Sequence, residues 1–292
     1  MSKIQYKPKK IALLTDSCAD LSIKTASENN IYIVPLRIMC SDGEYLDGVD
    51  IANSDIYKYH ENGEIPKTSL PSGSDIVAAF DKIAADGYDG IIAVMFSGGL
   101  SGTYNFVKIL AEERNDMIIE VFDSGNASLG LSMILLQLAE DIQNDMSWTE
   151  LIEYRIPFLI KNTFAFFSVD TLEYLHKGGR IGHITAIAGT LLQIKPIITF
   201  SDDGKLKTAA KVRGNGQLID KLAELTHNAR DSCKKYNLAV ANGGMQHEMN
   251  MLHSKLISQL SGYSNIWSGE IGATLSAHIG KGILGAAIQI LE

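Results

Sequence analysis

Short apolar runs alternating with helical patterns set the tightest limit on how this chain can fold. "IALLT" (11–15) leads into Asp16 and Ser17, and "GIIAVMF" (90–96) into Ser97. "MIIEVF" (117–122) leads into Asp123 and Ser124, while "YIVPLRIMC" (32–40) reads as one further strand, followed by the Asp-Gly turn signal of "SDGEY". Residues 75–86 place Ile76, Phe80, Ile83 and Ala84 on one helical face ending at Gly87, and "TYNFVKILAEE" (103–113) forms another helix. Longer helical patterns fill 128–144 and 148–161. Such alternation implies parallel β-α-β units, whose ligands gather outside the carboxyl ends of the strands. Asp16/Ser17, Ser97/Ser101 and Asp123/Ser124 should therefore share one rim, although Asp and Ser also serve as helix caps.

The second half reads differently. "FAFFSV" (164–169) is a strand, "TLEYLHKGGRIG" holds a short helix ending in two glycines, and "TAIAGTLL" (185–192) is another short helical piece. Residues 195–214 form a hairpin with Asp-Asp-Gly-Lys at its tip. "GQLIDKLAELTHNARDSC" is an amphipathic helix, "NLAVANG" a strand and "HEMNMLHSKLISQL" a helix; "SGEIGATLSAHIGKGILGAAIQIL" closes the chain as a glycine-punctuated loop and a buried strand. The expected architecture is α/β with two domains. Residues 1–163 form an N-terminal parallel-sheet domain, and residues 164–292 a C-terminal α+β domain with a mixed sheet.

Composition removes several functions. The chain has 292 residues and a net charge of −8, so an electrostatic grip on nucleic acid is disfavoured. Its three cysteines are far apart and form no C-x-x-C, which suits a reducing compartment and gives no zinc ribbon. No signal peptide and no run long enough to span a bilayer is legible, so a cytoplasmic location is expected.

Reactive chemistry is sparse. "GLSGT" (99–103) lacks the last glycine of a G-x-S-x-G nucleophile elbow, because Thr103 stands there. "SAHIGKGILG" has Gly280 and Lys281, yet Leu275 replaces the first glycine of a P-loop and Gly282 follows the lysine. His247 and His253, six residues apart, do not share a face as an H-E-x-x-H pair does, so no metal site is expected. What remains is hydroxyls around glycine-rich turns: Thr68 and Ser69 in "KTSLPS", Ser97 and Ser101 in "SGGLSGT", and Thr274, Ser276 and His278 in "GATLSAHIGKG". Beside a helix N-terminus such groups make a cradle for a carboxylate or phosphate.

The motifs "LLTDSCADL", "VPLRI", "KTSLPS", "SGGLSGTY", "VFDSGNASLG", "SVDTLEYLHKGGRIG", "KPIITFSDDGKL", "KVRG" and "IGATLSAHIGKGILG" follow one another from about residue 11 to 290. Together they resemble the DegV family, to which the fatty-acid-binding subunit of bacterial fatty-acid kinase belongs. The resemblance implies a protein that buries one long-chain fatty acid, its carboxylate held between two domains. It also implies presentation of that carboxylate to a separate ATP-dependent kinase subunit, which makes an acyl-phosphate for phospholipid synthesis. On this basis the chain is not itself the enzyme and needs no cofactor. The family's head-group contacts fall on Thr68, Ser101 and His278, with Ser97 and Gly98 in the same loop. Arg180 matches an arginine close to the ligand, and Arg213 one on the docking surface for the kinase. Gly98 stands where a second serine is common, and Lys281 where proline is often seen. Phe164, Phe166, Ile184, Ile187 and Leu191 are apolar candidates for either the tail pocket or the core. Two other functions fit the same residues: an acyl hydrolase using Ser101 as nucleophile, and a lipid carrier or sensor without a kinase partner.

Overall fold

The computed structural model describes residues 7–184 and 194–292. The first sheet holds β1 (Ile11–Asp16), β2 (Ile31–Val34), β6 (Gly90–Met95) and β7 (Ile118–Asp123) in the order β2-β1-β6-β7, all parallel. A small antiparallel sheet holds β3 (Arg37–Cys40), β4 (Gly43–Leu46) and β5 (Lys67–Ser69), with β3 central. The third sheet is mixed and has the order β10-β9-β8-β13-β11-β12. Its strands are β8 (Thr163–Ser168), β9 (Ile194–Phe200), β10 (Leu206–Arg213), β11 (Tyr236–Gly243), β12 (Ile266–Glu270) and β13 (Ile283–Ile290). Only β11 and β12 run parallel within it.

The helices of the first half are α1 (Ile23–Glu28), α2 (Asn53–Glu61), α3 (Gly73–Ala85), α4 (Thr103–Glu112) and α5 (Leu129–Gln143). Then α6 (Trp148–Glu150) and α7 (Ile156–Lys161) are joined by a π-turn over Leu151–Arg155. The second half adds α8 (Glu173–Lys177), α9 (Gly214–Ala229), α10 (Gln246–Gln259) and α11 (Ala273–Ile279). No described helix is long and apolar enough to cross a membrane.

Period-two alternation explains how the first sheet is covered. Leu13, Ile92 and Val94 face Leu131, Ile134, Leu135 and Leu138 of α5. Ala12, Leu14, Ile91, Ala93 and Met95 face Ile76, Phe80 and Ile83 of α3 and Val107 of α4. The mixed sheet buries Leu238, Val240, Leu284 and Ile288 against Leu218 and Leu222 of α9 and Leu252 and Leu256 of α10. Its other face meets α5, where Met133 packs on Ala165, Ala239 and Ala287. Helix α5 is thus apolar on both sides and lies between two sheets, as an all-round buried helix must.

A polar seam runs through this packing. Asn237 donates to Gln137 on α5 at 2.9 Å, Gln137 donates to Asp141 at 3.0 Å, and Arg155 donates to Asp141 at 2.6 Å. Arg155 also reaches the Leu291 carbonyl at 3.0 Å, tying the chain end to the first half.

Two features depart from the sequence reading. The apolar run 32–40 is two strands in different sheets, because Pro35 has no N–H to continue a ladder, and the next amide, Leu36, donates to Ser17 Oγ at 3.0 Å. The closing segment is not a loop before a strand. It holds β12 and then α11, so Thr274 and His278 are helical residues. The helical piece expected over 185–192 lies outside the described residues.

The Asp141–Arg155 pair supplies a stability test. Asp141→Ala leaves the largely buried Arg155 guanidinium with the Leu291 carbonyl as its remaining partner, a loss of about 3 kcal/mol, expected to lower Tm by roughly 6–12 °C. Replacing both partners with apolar residues of similar volume should recover much of that loss in the same thermal unfolding measurement.

Candidate functional site

A cavity of about 240 Å³ lies between the parallel sheet and the mixed sheet, beneath α11. Its wall is mostly apolar. Phe96 and Leu100 come from the end of β6, Phe166 and Phe167 from β8, Phe200 from β9, and Leu275 and Ile279 from α11. The polar lining is Thr68, Ser69, Ser101, Ser128, Arg180, Thr274 and His278.

Thr68, Ser101, Arg180 and His278 arrive from four separate elements. Thr68 is the middle residue of the short strand β5, and its hydroxyl lies 2.7 Å from His278 Nε2 on α11. Small side chains let the helix approach so closely: Ala273 and Ala277 pack against Ile38, Ile51 and Ile56 of the small sheet and α2. On the opposite flank a Cβ at Gly178 would sit 2.4 Å from His278 Nδ1, so only glycine leaves room for the imidazole. Burial, with the charge of Arg180 and then His60 nearby, pushes the His278 imidazole down to about 4. The ring is neutral at pH 7.

Ser101 precedes α4. Its hydroxyl lies 2.8 Å from Thr103 Oγ1 and accepts the Thr103 N–H at 3.3 Å. Among the described residues neither an imidazole nor a carboxylate is bonded to it. Arg180 donates Nε to the Leu100 carbonyl at 3.2 Å and Nη1 to the Gly178 carbonyl at 2.7 Å. It therefore bridges the Ser101 loop and the end of α8 while lining the cavity.

Other residues singled out in the sequence lie elsewhere. Ser97 is fully buried, and its hydroxyl donates to the Gly204 carbonyl at 2.7 Å and accepts the Gly99 N–H at 3.2 Å. Gly98 donates its N–H to Asp123 at 2.9 Å. Neither lines the cavity: they secure the Ser101 loop, and a Cβ on Gly99 would meet the Gly204 carbonyl carbon at 2.4 Å. The shared rim exists, but its carboxylates bind backbone: Asp16 accepts from Cys18 at 3.0 Å and Phe96 at 2.8 Å. Ser276 lies 3.3 Å from the Tyr57 hydroxyl, off the cavity. Arg213 is exposed at the end of β10. Of the apolar candidates, Phe166 lines the cavity; Phe164 is 36% exposed, Ile184 is core, and Ile187 and Leu191 lie outside the described residues. Phe96 and Phe200 went unnoticed in the sequence, though both sit at strand ends, where ligands gather. Among the described residues no group of three or more His, Cys, Asp or Glu side chains is placed to hold a metal.

A family profile described as "Uncharacterised protein, DegV family" matches residues 10–290. The chain belongs to the DegV family. A DegV domain-containing protein of Clostridium perfringens is 37% identical over 283 residues, covering 96% of this chain and 98% of that one. Among solved structures, a DegV family protein of Thermus thermophilus described for fatty-acid binding is similar with a TM-score of 0.90 and 28% identity, covering 97% of this chain and all of that one. DegV of Bacillus subtilis, described as a fatty acid binding protein, follows with a TM-score of 0.86 and 26% identity, covering 97% and 99%. The α/β fold of this DegV chain, parallel sheet first and mixed sheet second, is the one those structures share.

The lowered His278 value carries a sign. A neutral buried ring stabilises the fold fully above its unfolded value of 6.5, and that contribution is lost as pH falls toward 4. In ligand-free protein the His278 ring resonances should stay those of a neutral imidazole from pH 8 down to about 5. His278→Gln should lose less Tm than the parent chain between pH 6.5 and 4.

Proposed function

We propose that this protein binds one long-chain fatty acid, tail in the apolar cavity and carboxylate among Thr68, Ser101, His278 and Arg180. The observation that carries the reading is that apolar wall ending in a cluster of mainly neutral donors. A tail of roughly 14 buried methylenes, at about 0.8 kcal/mol each, supplies about 11 kcal/mol before association costs. The head group then decides orientation, because an unpaired buried carboxylate is strongly disfavoured. With its proton on Nε2, His278 donates to Thr68 Oγ1 and leaves the Thr68 hydroxyl proton free for the ligand. Ser101 adds a second hydroxyl, and Arg180, already held by two carbonyls, supplies charge at the mouth.

On this reading Ser101 is a clamp. Its hydroxyl partner is Thr103, and the imidazole nearest the cavity is engaged with Thr68, an arrangement that disfavours a serine nucleophile. The protein serves as a lipid-binding subunit: the ligand's carboxylate, presented at the cavity mouth, accepts phosphate from a separate ATP-dependent kinase subunit in the cytoplasm. Arg213, exposed at the end of edge strand β10, is assigned to docking that partner. The same reading divides the chain into domains 1–163 and 164–292, with the cavity between them, and needs no cofactor.

Two measurements test these assignments. Ser101→Ala and Thr68→Val should each weaken palmitate binding about tenfold, the worth of one hydrogen bond to a charged group, while affinity for hexadecanol changes little. Equal losses for acid and alcohol would remove the clamp. Arg213→Ala should bind palmitate normally yet turn over poorly with a fatty-acid kinase; normal turnover would remove the docking assignment.

A further inference from the structure

Three carboxylates lie behind the cavity and line none of it: Asp16 and Asp47, both buried, and Asp20, half-buried. Two of them converge on the start of α11. Asp20 Oδ1 accepts the Gly272 N–H at 3.0 Å, and Asp47 Oδ1 accepts the Ala273 N–H at 3.1 Å. The helix needs such help. It has seven residues, and its N-cap, Gly272, has no side chain with which to cap it. The fit is close, since a Cβ on Gly272 would lie 2.5 Å from Asp20 Oδ1 and 3.7 Å from Asp47 Oδ1. Asp20 itself sits at φ 52°, a left-handed conformation uncommon for a residue with a side chain, at the end of the Ser17–Ala19 turn. The cavity face of the same helix carries Thr274, Leu275, His278 and Ile279.

We infer that Asp20 and Asp47 are positioning residues for carboxylate recognition: by clasping the N-terminus of α11 they set how His278, at its other end, meets Thr68 and the ligand. The inference rests on the fatty-acid reading above and extends it to residues that never touch the ligand. His278 lies five residues beyond Ala273, about 7.5 Å along the axis, so a small tilt at the clasp displaces the imidazole relative to β5. Most tail contacts, among them Phe96, Phe166, Phe167 and Phe200, come from the two larger sheets and not from α11, so they respond less to such a tilt. Losing the clasp therefore erodes discrimination for the acid more than affinity for the chain.

The clasp is also coupled to protons. Burial holds Asp20 well up, Asp47 up and Asp16 up to about 7, and the Asp47 charge adds to the rise of Asp20 and Asp16. The groups facing them are the Ser17 and Thr274 hydroxyls on Asp47, the Ser128 hydroxyl on Asp20, the Cys18 thiol, and Tyr57 on α2, which also feels Glu270 of β12. A bound fatty-acid anion disfavours further negative charge nearby, so binding draws protons into the group. Affinity for the acid therefore falls with rising pH as members of the group lose their protons, Asp16 at about 7 among them.

The test compares palmitate with hexadecanol, titrated between pH 6 and 8.5 into the full chain and its Asp47→Ala, Gly272→Ala, Asp20→Asn and Asp47→Asn variants. Asp47→Ala and Gly272→Ala should reduce the palmitate-to-hexadecanol preference by about fivefold to tenfold. The Asn variants, which keep an acceptor for the helix N–H, should retain the preference and flatten its pH dependence. Palmitate and hexadecanol weakening together would mark a purely structural role and overturn the inference. So would an unchanged preference in Gly272→Ala with an unchanged pH profile in the Asn variants, an outcome that decides the matter even if Asp47→Ala fails to fold. A parent chain that binds neither ligand would overturn the fatty-acid reading itself.

Discussion

The bond between Thr68 and His278 joins residues 210 positions apart, and the site depends on it. One partner is the middle residue of a three-residue strand; the other sits near the end of a seven-residue helix. Neither element could persist alone in water, so their meeting point is a product of tertiary packing. Four small residues make it possible. Ala273 and Ala277 allow the small sheet and α2 to close on α11, Gly178 leaves room for the imidazole, and Gly280 lets Tyr174 lie where its Cβ would be. Tyr174 in turn stacks on His60 with ring centres 4.0 Å apart. The His278 imidazole is largely withdrawn from solvent beside the Arg180 charge, which is why it is neutral.

Scaffold and site divide the labour. Helix α5 and its polar seam fix one sheet against the other, so the cavity walls are rigid. Ser97, spanning 107 positions to the Gly204 carbonyl, locks the Ser101 loop against the β9–β10 hairpin. In the proposed function, affinity for a long chain comes from the apolar walls. Orientation and chemistry come from few polar atoms, most of them neutral donors that add no buried charge of their own.

Much of the scaffold was legible in the sequence because its signals are local. The strands at 11–15, 90–96 and 117–122 announce themselves by continuous apolar runs, and α3 and α4 by helical periodicity. Helix α11 was not legible: "ATLSAHI" is small and polar, and its caps come from Asp20, 252 positions away, and Asp47, 226 away. Pro35 was visible, yet its consequence, two strands assigned to two sheets, depends on where the partners lie. For the site, "KTSLPS", "SGGLSGTY" and "LSAHIGKG" marked Thr68, Ser101 and His278 through family resemblance, and the structure brings all three to one cavity. Ser97 and Gly98 were drawn in by adjacency in sequence. Their atoms are committed to Gly204 and Asp123, a distinction that only geometry makes.

The central claim is that the cavity holds a fatty acid noncovalently. Mass spectrometry of the purified protein, native and then denatured, with identification of any released compound, addresses it most directly. The account expects a one-to-one adduct that is lost on denaturation and proves to be a long-chain fatty acid. An acyl mass surviving denaturation on the Ser101 peptide would contradict it and make Ser101 a nucleophile. A protein that is empty and refuses added fatty acid would contradict it outright.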